Sequence, residues 1–355
     1  MQAVNVLLTC GGSQLIVGHI EALKNQNEIP IRVIGTDMNK ECFGKYFFDA
    51  FYFNSGANSP DYIFEIIDIS KKEDISVIVP TSDSEALVLS KNKDVFDNEN
   101  ISLAVDKYDI INIVHDKFQL FELLNEKKIP IPQYCAINSL EDISHASKIF
   151  QYPDNNFVIK PRISTGARGV WIVSGSYDKV HYLTHTKGSD RFSITLDEMI
   201  RTLHQVPEKQ FPKMIAMEYL PNERYNVDML SDGNKLFYVI PRRRYFPFGS
   251  PTQGCILEEN PDIIDLSKLI WESIRQSYLF TYEYAIDRNG KPGLFEINPR
   301  TDGTVTATLG CGVNLILENI KLALGLPVNL KSISYNVEMF RYWRELRLIS
   351  GNIIN

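Results

Sequence analysis

Two glutamates and an asparagine in the last quarter of this 355-residue chain are spaced to hold a hard cation. Residues 280 to 303 read Phe-Thr-Tyr-Glu-Tyr-Ala-Ile-Asp-Arg-Asn-Gly-Lys-Pro-Gly-Leu-Phe-Glu-Ile-Asn-Pro-Arg-Thr-Asp-Gly. Asn289-Gly290 between two strand-like runs is a strong hairpin signal. A two-residue turn there sets Glu283 directly opposite Glu296. Side chains alternate between the faces of a strand. One face then carries Tyr282, Tyr284, Ile286, Phe295 and Ile297, and the other Glu283, Asp287, Glu296, Asn298 and, beyond Pro299, Arg300. Like charges placed opposite one another destabilise a sheet, and a cation between them removes that penalty. Oxygen ligands from Glu283, Glu296 and Asn298 suit Mg²⁺, which prefers few carboxylates plus phosphate oxygens. A solvated polar face, with both carboxylates in water, explains the hairpin equally well.

Further groups upstream could act on a phosphate. Phe157 to Lys160 is a buried strand pattern that delivers Lys160 to its end, although a lysine there is more often simply at the surface. Ser164-Thr165-Gly166-Ala167-Arg168-Gly169 follows. Its glycines allow backbone N–H groups to approach phosphate oxygens without a Cβ in the way. It is not a Walker loop, because no Gly-Lys-Ser/Thr follows. Arg242-Arg243-Arg244 ends another strand pattern, with Asp228 on the neighbouring strand to orient one of the three. Arginine pairs bidentately with carboxylate or phosphate, and a solvated basic turn is the plainer alternative. No Gly-x-Ser-x-Gly nucleophile motif is present, and the six histidines form no metal pair or triad.

Elements that would position these groups can be read along the chain. The first ~110 residues alternate strand and helix signals as a parallel α/β sheet does. Strand patterns fall at Val4 to Leu8, Ile31 to Ile34 and Ile75 to Val79, and Thr81-Ser82-Asp83-Ser84-Glu85 reads as a helix start. Gly11, Gly12 and Gly18 miss the offsets of a dinucleotide fingerprint, so they read as a glycine turn in a Rossmann-like domain rather than an NAD site. A helix is expected from Asp116 to Asn125. Strands follow at Val170 to Ser174, Met214 to Leu220, Tyr225 to Leu230 and Leu236 to Ile240, with a last helix from Leu315 to Leu324. Residues 176 to 212 read as loop and helix.

Composition narrows the partners. A net charge of −7 disfavours nucleic acid. Five scattered cysteines, with no C-x-x-C spacing, argue against a disulfide framework or a zinc site. The N-terminus has no basic leader pattern, and no apolar run approaches the roughly 20 residues that span a bilayer. The expectation is a cytoplasmic protein with small-molecule partners, no nucleic acid and no membrane.

Phe295-Glu296-Ile297-Asn298-Pro299-Arg300 resembles the metal-binding strand of the ATP-grasp superfamily, and further motifs follow in the superfamily's order over roughly residues 1 to 325. The closest look is to one stand-alone unit of a carbamoyl-phosphate synthetase large subunit. The resemblance implies a Rossmann-like (pre-ATP-grasp) parallel-sheet domain at 1–110. A two-subdomain α+β ATP-grasp domain would follow, its first part at 111–220 with a glycine-rich phosphate flap and its second at 221–330 with the metal hairpin, then an extension at 331–355 that adds a closing strand. It implies ATP with one or two Mg²⁺ ions, Mn²⁺ being an alternative, held by Glu283, Glu296 and Asn298. Lys117 would contact the nucleotide, and Lys160, Ser164, Gly166 and Gly169 its phosphates. Glu218, Tyr219 and Leu220 of Met217-Glu218-Tyr219-Leu220-Pro221 would line the adenine. Where the family has a ribose-binding glutamate this chain has Arg224, with Glu223 as the substitute one residue earlier. Arg300, Lys160 and Arg243 would act on the transferring phosphoryl group.

The activity implied is a carboxylate–amine ligase that forms an acyl phosphate, in a homodimer. Variable loops near Thr81–Glu85 and Tyr245–Gly254 would shape the substrate pocket. Bicarbonate or carbamate phosphorylation, NAD-dependent oxidoreduction and non-catalytic nucleotide binding are the alternatives.

Overall fold

The computed structural model describes residues 3–164, 168–176, 178, 180, 192–246, 252–349 and 351–354. Short apolar runs near the N-terminus form five parallel strands: β1 (Val4–Leu8), β2 (Ile31–Asp37), β3 (Ala50–Phe53), β4 (Val77–Val79) and β5 (Ser102–Leu103), in the order β3-β2-β1-β4-β5. The helix Asp83–Lys91 starts where the sequence signal placed it, with Ser82 accepting from the Glu85 N–H. The glycine turn after β1 is filled by protein. Gly12 N–H donates to Asp37 Oδ2 at 2.7 Å, and a Cβ at Gly12 would lie 2.9 Å from that oxygen. The Asp37 carboxylate is thus committed to the turn rather than presented to a ribose.

A second sheet holds β6 (Tyr134–Ile137), β7 (Phe157–Pro161), β8 (Trp171–Val173), β9 (Ser193–Ile194) and β10 (Met214–Glu218), ordered β6-β10-β7-β8-β9. The third carries β11 (Arg224–Asp232), β12 (Leu236–Arg244), β13 (Gly254–Leu257), β14 (Ser277–Ile286), β15 (Pro292–Asn298) and β16 (Val337–Phe340), ordered β15-β14-β11-β12-β13-β16. Its inner face is a dense core. Tyr282, Tyr284, Phe280, Leu294 and Ile297 pack with Ile263, Ile270, Trp271 and Ile274 of the helix Pro261–Ile274. The sequence reading assigned no helix there, although Asn260 caps it and a proline opens it. The expected closing strand is β16, which pairs with β13. Beyond it, β17 (Arg347–Ile349) and β18 (Asn352–Ile354) form a separate hairpin. The fold is mixed α/β, with an N-terminal parallel sheet and a C-terminal antiparallel one.

Candidate active site

The Glu283–Glu296 opposition is present, but it is built differently from the expected two-residue turn. Arg288, Asn289 and Gly290 form the turn, with Gly290 at φ +80° and the Asp287 N–H donating to the Lys291 carbonyl at 2.8 Å. Asp287 also caps the turn, accepting from the Asn289 and Lys291 N–H groups, so it does not join the metal face. The longer turn moves the register by one: Ile286 faces Pro292 and Tyr284 faces Leu294. A bulge at Phe295 then restores it, so that Glu283 faces Glu296 and Thr281 faces Asn298. Leu294 therefore takes the core position expected for Phe295, and the Phe295 ring turns toward the site.

That ring is the floor of a cleft lined by Lys160, Met217, Glu218, Tyr219, Leu220, Arg224, Asn226, Arg244, Glu283, Glu296, Asn298, Arg300 and Asp302, among others. Lys160 Nζ sits 5.5 Å from the Phe295 ring centre and donates to the Phe295 carbonyl at 2.7 Å. Burial, with smaller pushes from Lys117 and Arg224, brings the Lys160 ammonium down to about 7, against the opposing pull of Glu296 and Glu283. Lys117 stands behind the cleft wall, bonded to Glu296 Oε1 at 3.0 Å and to the Ser164 carbonyl at 2.9 Å. Its helix, Lys117–Glu126, is capped by Asp116. The same carboxylate takes a bidentate pair from Arg162 at 2.9 and 2.6 Å, tying the helix start to the end of β7.

Asn298 Nδ2 donates to Glu283 Oε1 at 2.8 Å, so the three expected metal ligands converge. Burial and the neighbouring Glu296 raise the Glu283 carboxyl, the penalty a cation would relieve. Among the described residues no group of three His, Cys, Asp or Glu converges to hold a metal unaided. The donor set fits an ion that shares its coordination with phosphate oxygens.

A second charged cluster closes the far end. Arg242 is fully buried and forks onto Asp228 at 2.6 and 2.8 Å, then reaches Asp302 at 3.0 Å. Arg300 contacts Asp302 Oδ1 at 3.0 Å and Asp83 Oδ1 at 3.3 Å, which links the hairpin to the N-terminal domain. Burial alone would raise the Asp302 carboxyl, but Arg242 and Arg300 outweigh it and hold the group well below the usual range. His19 Nε2 lies 3.1 Å from the Asp302 carbonyl, and burial lowers its imidazole to about 4, so the ring is neutral. Arg341, just past β16, donates to the Thr252 and Gly303 carbonyls at 2.6 and 2.7 Å. Sequence reasoning missed Asp302, Asp83, His19, Asn226 and Arg341, because long-range folding alone makes them neighbours.

Most expected site residues come together, and some do not. Lys160, Glu218, Tyr219, Leu220, Glu283, Glu296, Asn298 and Arg300 line the cleft. Arg243 does not: strand alternation points it away, onto Glu258 Oε1 at 2.9 Å, while Arg244 lines the cleft in its stead. Glu223 is exposed and outside the lining, since its strand begins one residue later, at Arg224. Ser164 contributes its carbonyl to Lys117 rather than its side chain to the cleft. Gly169 adopts φ +73°, and Gly166 lies outside the described residues. Thr252 represents the second expected substrate loop in the lining, whereas Thr81–Glu85 is packed behind Arg300.

Comparison with known proteins fits this arrangement. A family model described as "ATP-grasp in the biosynthetic pathway with Ter operon" matches residues 210–342. One described as "PylC-like, N-terminal domain" matches residues 6–104. The arginine-specific carbamoyl phosphate synthase large chain of Geobacillus stearothermophilus is 23% identical over 271 residues. That match covers 73% of this chain, which spans only 23% of that relative's length. A D-alanine–D-alanine ligase of Petrotoga mobilis is 21% identical over 58% of this chain and 67% of its own. Among solved structures, the N5-carboxyaminoimidazole synthetase of Staphylococcus aureus in complex with ADP superposes with a TM-score of 0.68 at 16% identity. It covers 94% of this chain and 80% of that one. Residues 210–342 are thus similar to an ATP-grasp family, and the chain shares the fold of the synthetase structure.

Proposed function

We propose that this chain is a Mg²⁺-dependent ATP-grasp ligase that phosphorylates a carboxylate on ATP and passes the resulting acyl phosphate to an amine. The observation carrying this reading is the half-buried Glu283–Glu296 opposition with Asn298 bonded to it, sharing one cleft with Lys160. No protein nucleophile is needed, because phosphoryl transfer calls mainly for positioning and charge stabilisation. Glu283, Glu296 and Asn298 would hold Mg²⁺, which supplies Lewis-acid neutralisation of the β- and γ-phosphate oxygens.

Lys160 and the glycine flap around Gly169 bind phosphate from above, and Glu218 to Leu220 line the base with backbone and apolar surface. Arg300, kept charged by Asp83 and Asp302 against the cost of burial, faces the transferring group. The carboxylate oxygen attacks the γ-phosphorus, ADP leaves, and the amine nitrogen displaces phosphate from the acyl carbon with loss of one proton. Closure of the flap excludes water, which would otherwise hydrolyse the acyl phosphate.

The test is to incubate the protein with MgATP and a panel of carboxylic acids, with hydroxylamine as the trapping amine. Carboxylate-dependent ADP release with hydroxamate formation is expected. ADP release without hydroxamate from any acid that stimulates it would refute acyl-phosphate chemistry.

A further inference from the structure

We infer that Arg341, which follows β16, is a positioning residue for the carboxylate substrate: it holds the wall at the Arg300 end of the cleft, and so sets affinity for the acid rather than for ATP. This rests on the ligase reading of the same cleft. Away from the base-lining strand end and the metal hairpin, that wall is made of loops. They supply Leu15 from the N-terminal domain, Thr252 ahead of β13, and Asp302 and Thr304 after β15. The first and last of these loops are in contact, since a Cβ on Gly303 would lie 2.1 Å from Leu15 Cδ1.

Sheet order makes this wall hard to hold. Strands β15 and β13 are separated by β14, β11 and β12, so the loop after β15 must cross about 19 Å to meet Thr252. Partway across, Arg242 of β12 takes Asp302 at 3.0 Å. Arg341 secures the far side. Its backbone N–H donates to the Gln253 carbonyl at 2.8 Å, which continues the pairing of Phe340 with Gly254. From that anchored position Nη2 donates to the Gly303 carbonyl at 2.7 Å, and Nη1 to the Thr252 carbonyl at 2.6 Å and Thr304 Oγ1 at 3.2 Å. These three bonds go to two carbonyls and a hydroxyl, not to a carboxylate, so they serve geometry. The guanidinium fork is planar and rigid, and bonding both loops at once fixes their spacing. Arg341 stands behind the wall, outside the cleft lining, and Thr252 and Thr304 present the result to the cleft.

The test compares wild type with Arg341→Met, which keeps the apolar stem and loses the fork. The probe is the carboxylic acid of the panel above that gives wild type the most hydroxamate, at saturating hydroxylamine. KM for that acid is expected to rise about tenfold or more, because a displaced wall misplaces the acid. KM for MgATP should stay within about twofold of wild type. Arg341→Lys keeps the charge but cannot span both loops, so its KM for the acid should fall between the two. It also keeps the inference testable if Arg341→Met does not fold. An unchanged acid KM in the variant that folds would overturn the inference, as would a rise of the same factor in the KM values for acid and MgATP, which marks a general loosening. Wild type that releases no ADP in response to any acid would overturn the ligase reading and this inference with it. An active wild type whose acid KM ignores Arg341 overturns the inference alone.

Discussion

Under the proposed function, nucleotide binding at the buried Lys160 is expected to take up a proton. In the free protein its ammonium titrates at about 7, because burial outweighs the attraction of Glu296 and Glu283. Phosphate oxygens arriving at Nζ favour the charged form and lift it back toward its ordinary value of 10.5. The uptake is the fraction uncharged beforehand: roughly 0.9 proton per ATP at pH 8, 0.5 at pH 7 and 0.1 at pH 6. Calorimetric titration of ATP in buffers of different ionisation enthalpy measures it, since the slope of observed heat against buffer enthalpy is the proton count. Other groups, including Glu283, contribute to that slope, so the informative quantity is the difference between wild type and Lys160→Arg. Arginine stays charged throughout, and the difference should be close to one proton at pH 8 and vanish near pH 6. The sign also governs stability. The unfolded chain holds the Lys160 proton from about pH 7 to 10.5 while the folded chain does not. Stability of the nucleotide-free protein therefore rises with pH across that window. Identical slopes for wild type and Lys160→Arg at pH 8 would refute the reasoning.

Two further predictions rest on the elements that carry the site. Gly169→Ala puts a Cβ 2.8 Å from Pro161 Cγ at φ +73°; it should cost about 1–2 kcal/mol in denaturant unfolding and also weaken ATP binding through the flap. Asp116→Asn keeps a cap oxygen but loses the charge that holds Arg162, costing roughly 1.5–3 kcal/mol near neutral pH. Burial opposes the ionised Asp116, but Arg162 and Gln119 outweigh it and lower its carboxyl below 3.8. The advantage of wild type over Asp116→Asn is therefore present above pH 3.8 and lost as pH falls through the folded value. Unfolding curves at pH 6 and pH 3 check this.

What the sequence could reveal follows the range of the interaction. Asp116 as a helix cap, Ser82 as another and the Lys160 strand end are local signals, and each was legible. The carboxylate opposition was also legible, though through two offsetting errors: the turn is one residue longer than expected, and a bulge at Phe295 cancels the shift. Neither can be read from alternation alone, because a bulge leaves one residue unpaired and so changes the phase of the strand partway along. The phase of Arg242-Arg243-Arg244 was a similar matter. Once Asp228 and Asp302 fix Arg242 inside, strand geometry sends Arg243 to Glu258 and Arg244 to the cleft. The helix Pro261–Ile274 had its signals in Asn260-Pro261 and in Ile263, Ile270 and Ile274, and they were passed over among neighbouring strand patterns. The clamp of Arg300 between Asp83 and Asp302 joins parts of the chain more than two hundred residues apart, and only the folded arrangement reveals it.

Whether the opposed carboxylates serve a metal–nucleotide complex is tested most directly by ATP affinity with and without Mg²⁺, in wild type and in Glu296→Gln. The account predicts tight binding by the wild type that depends on Mg²⁺, and loss of that dependence in Glu296→Gln with the fold retained by circular dichroism. ATP affinity indifferent to both Mg²⁺ and the substitution, or binding of NAD⁺ in place of ATP, would contradict it.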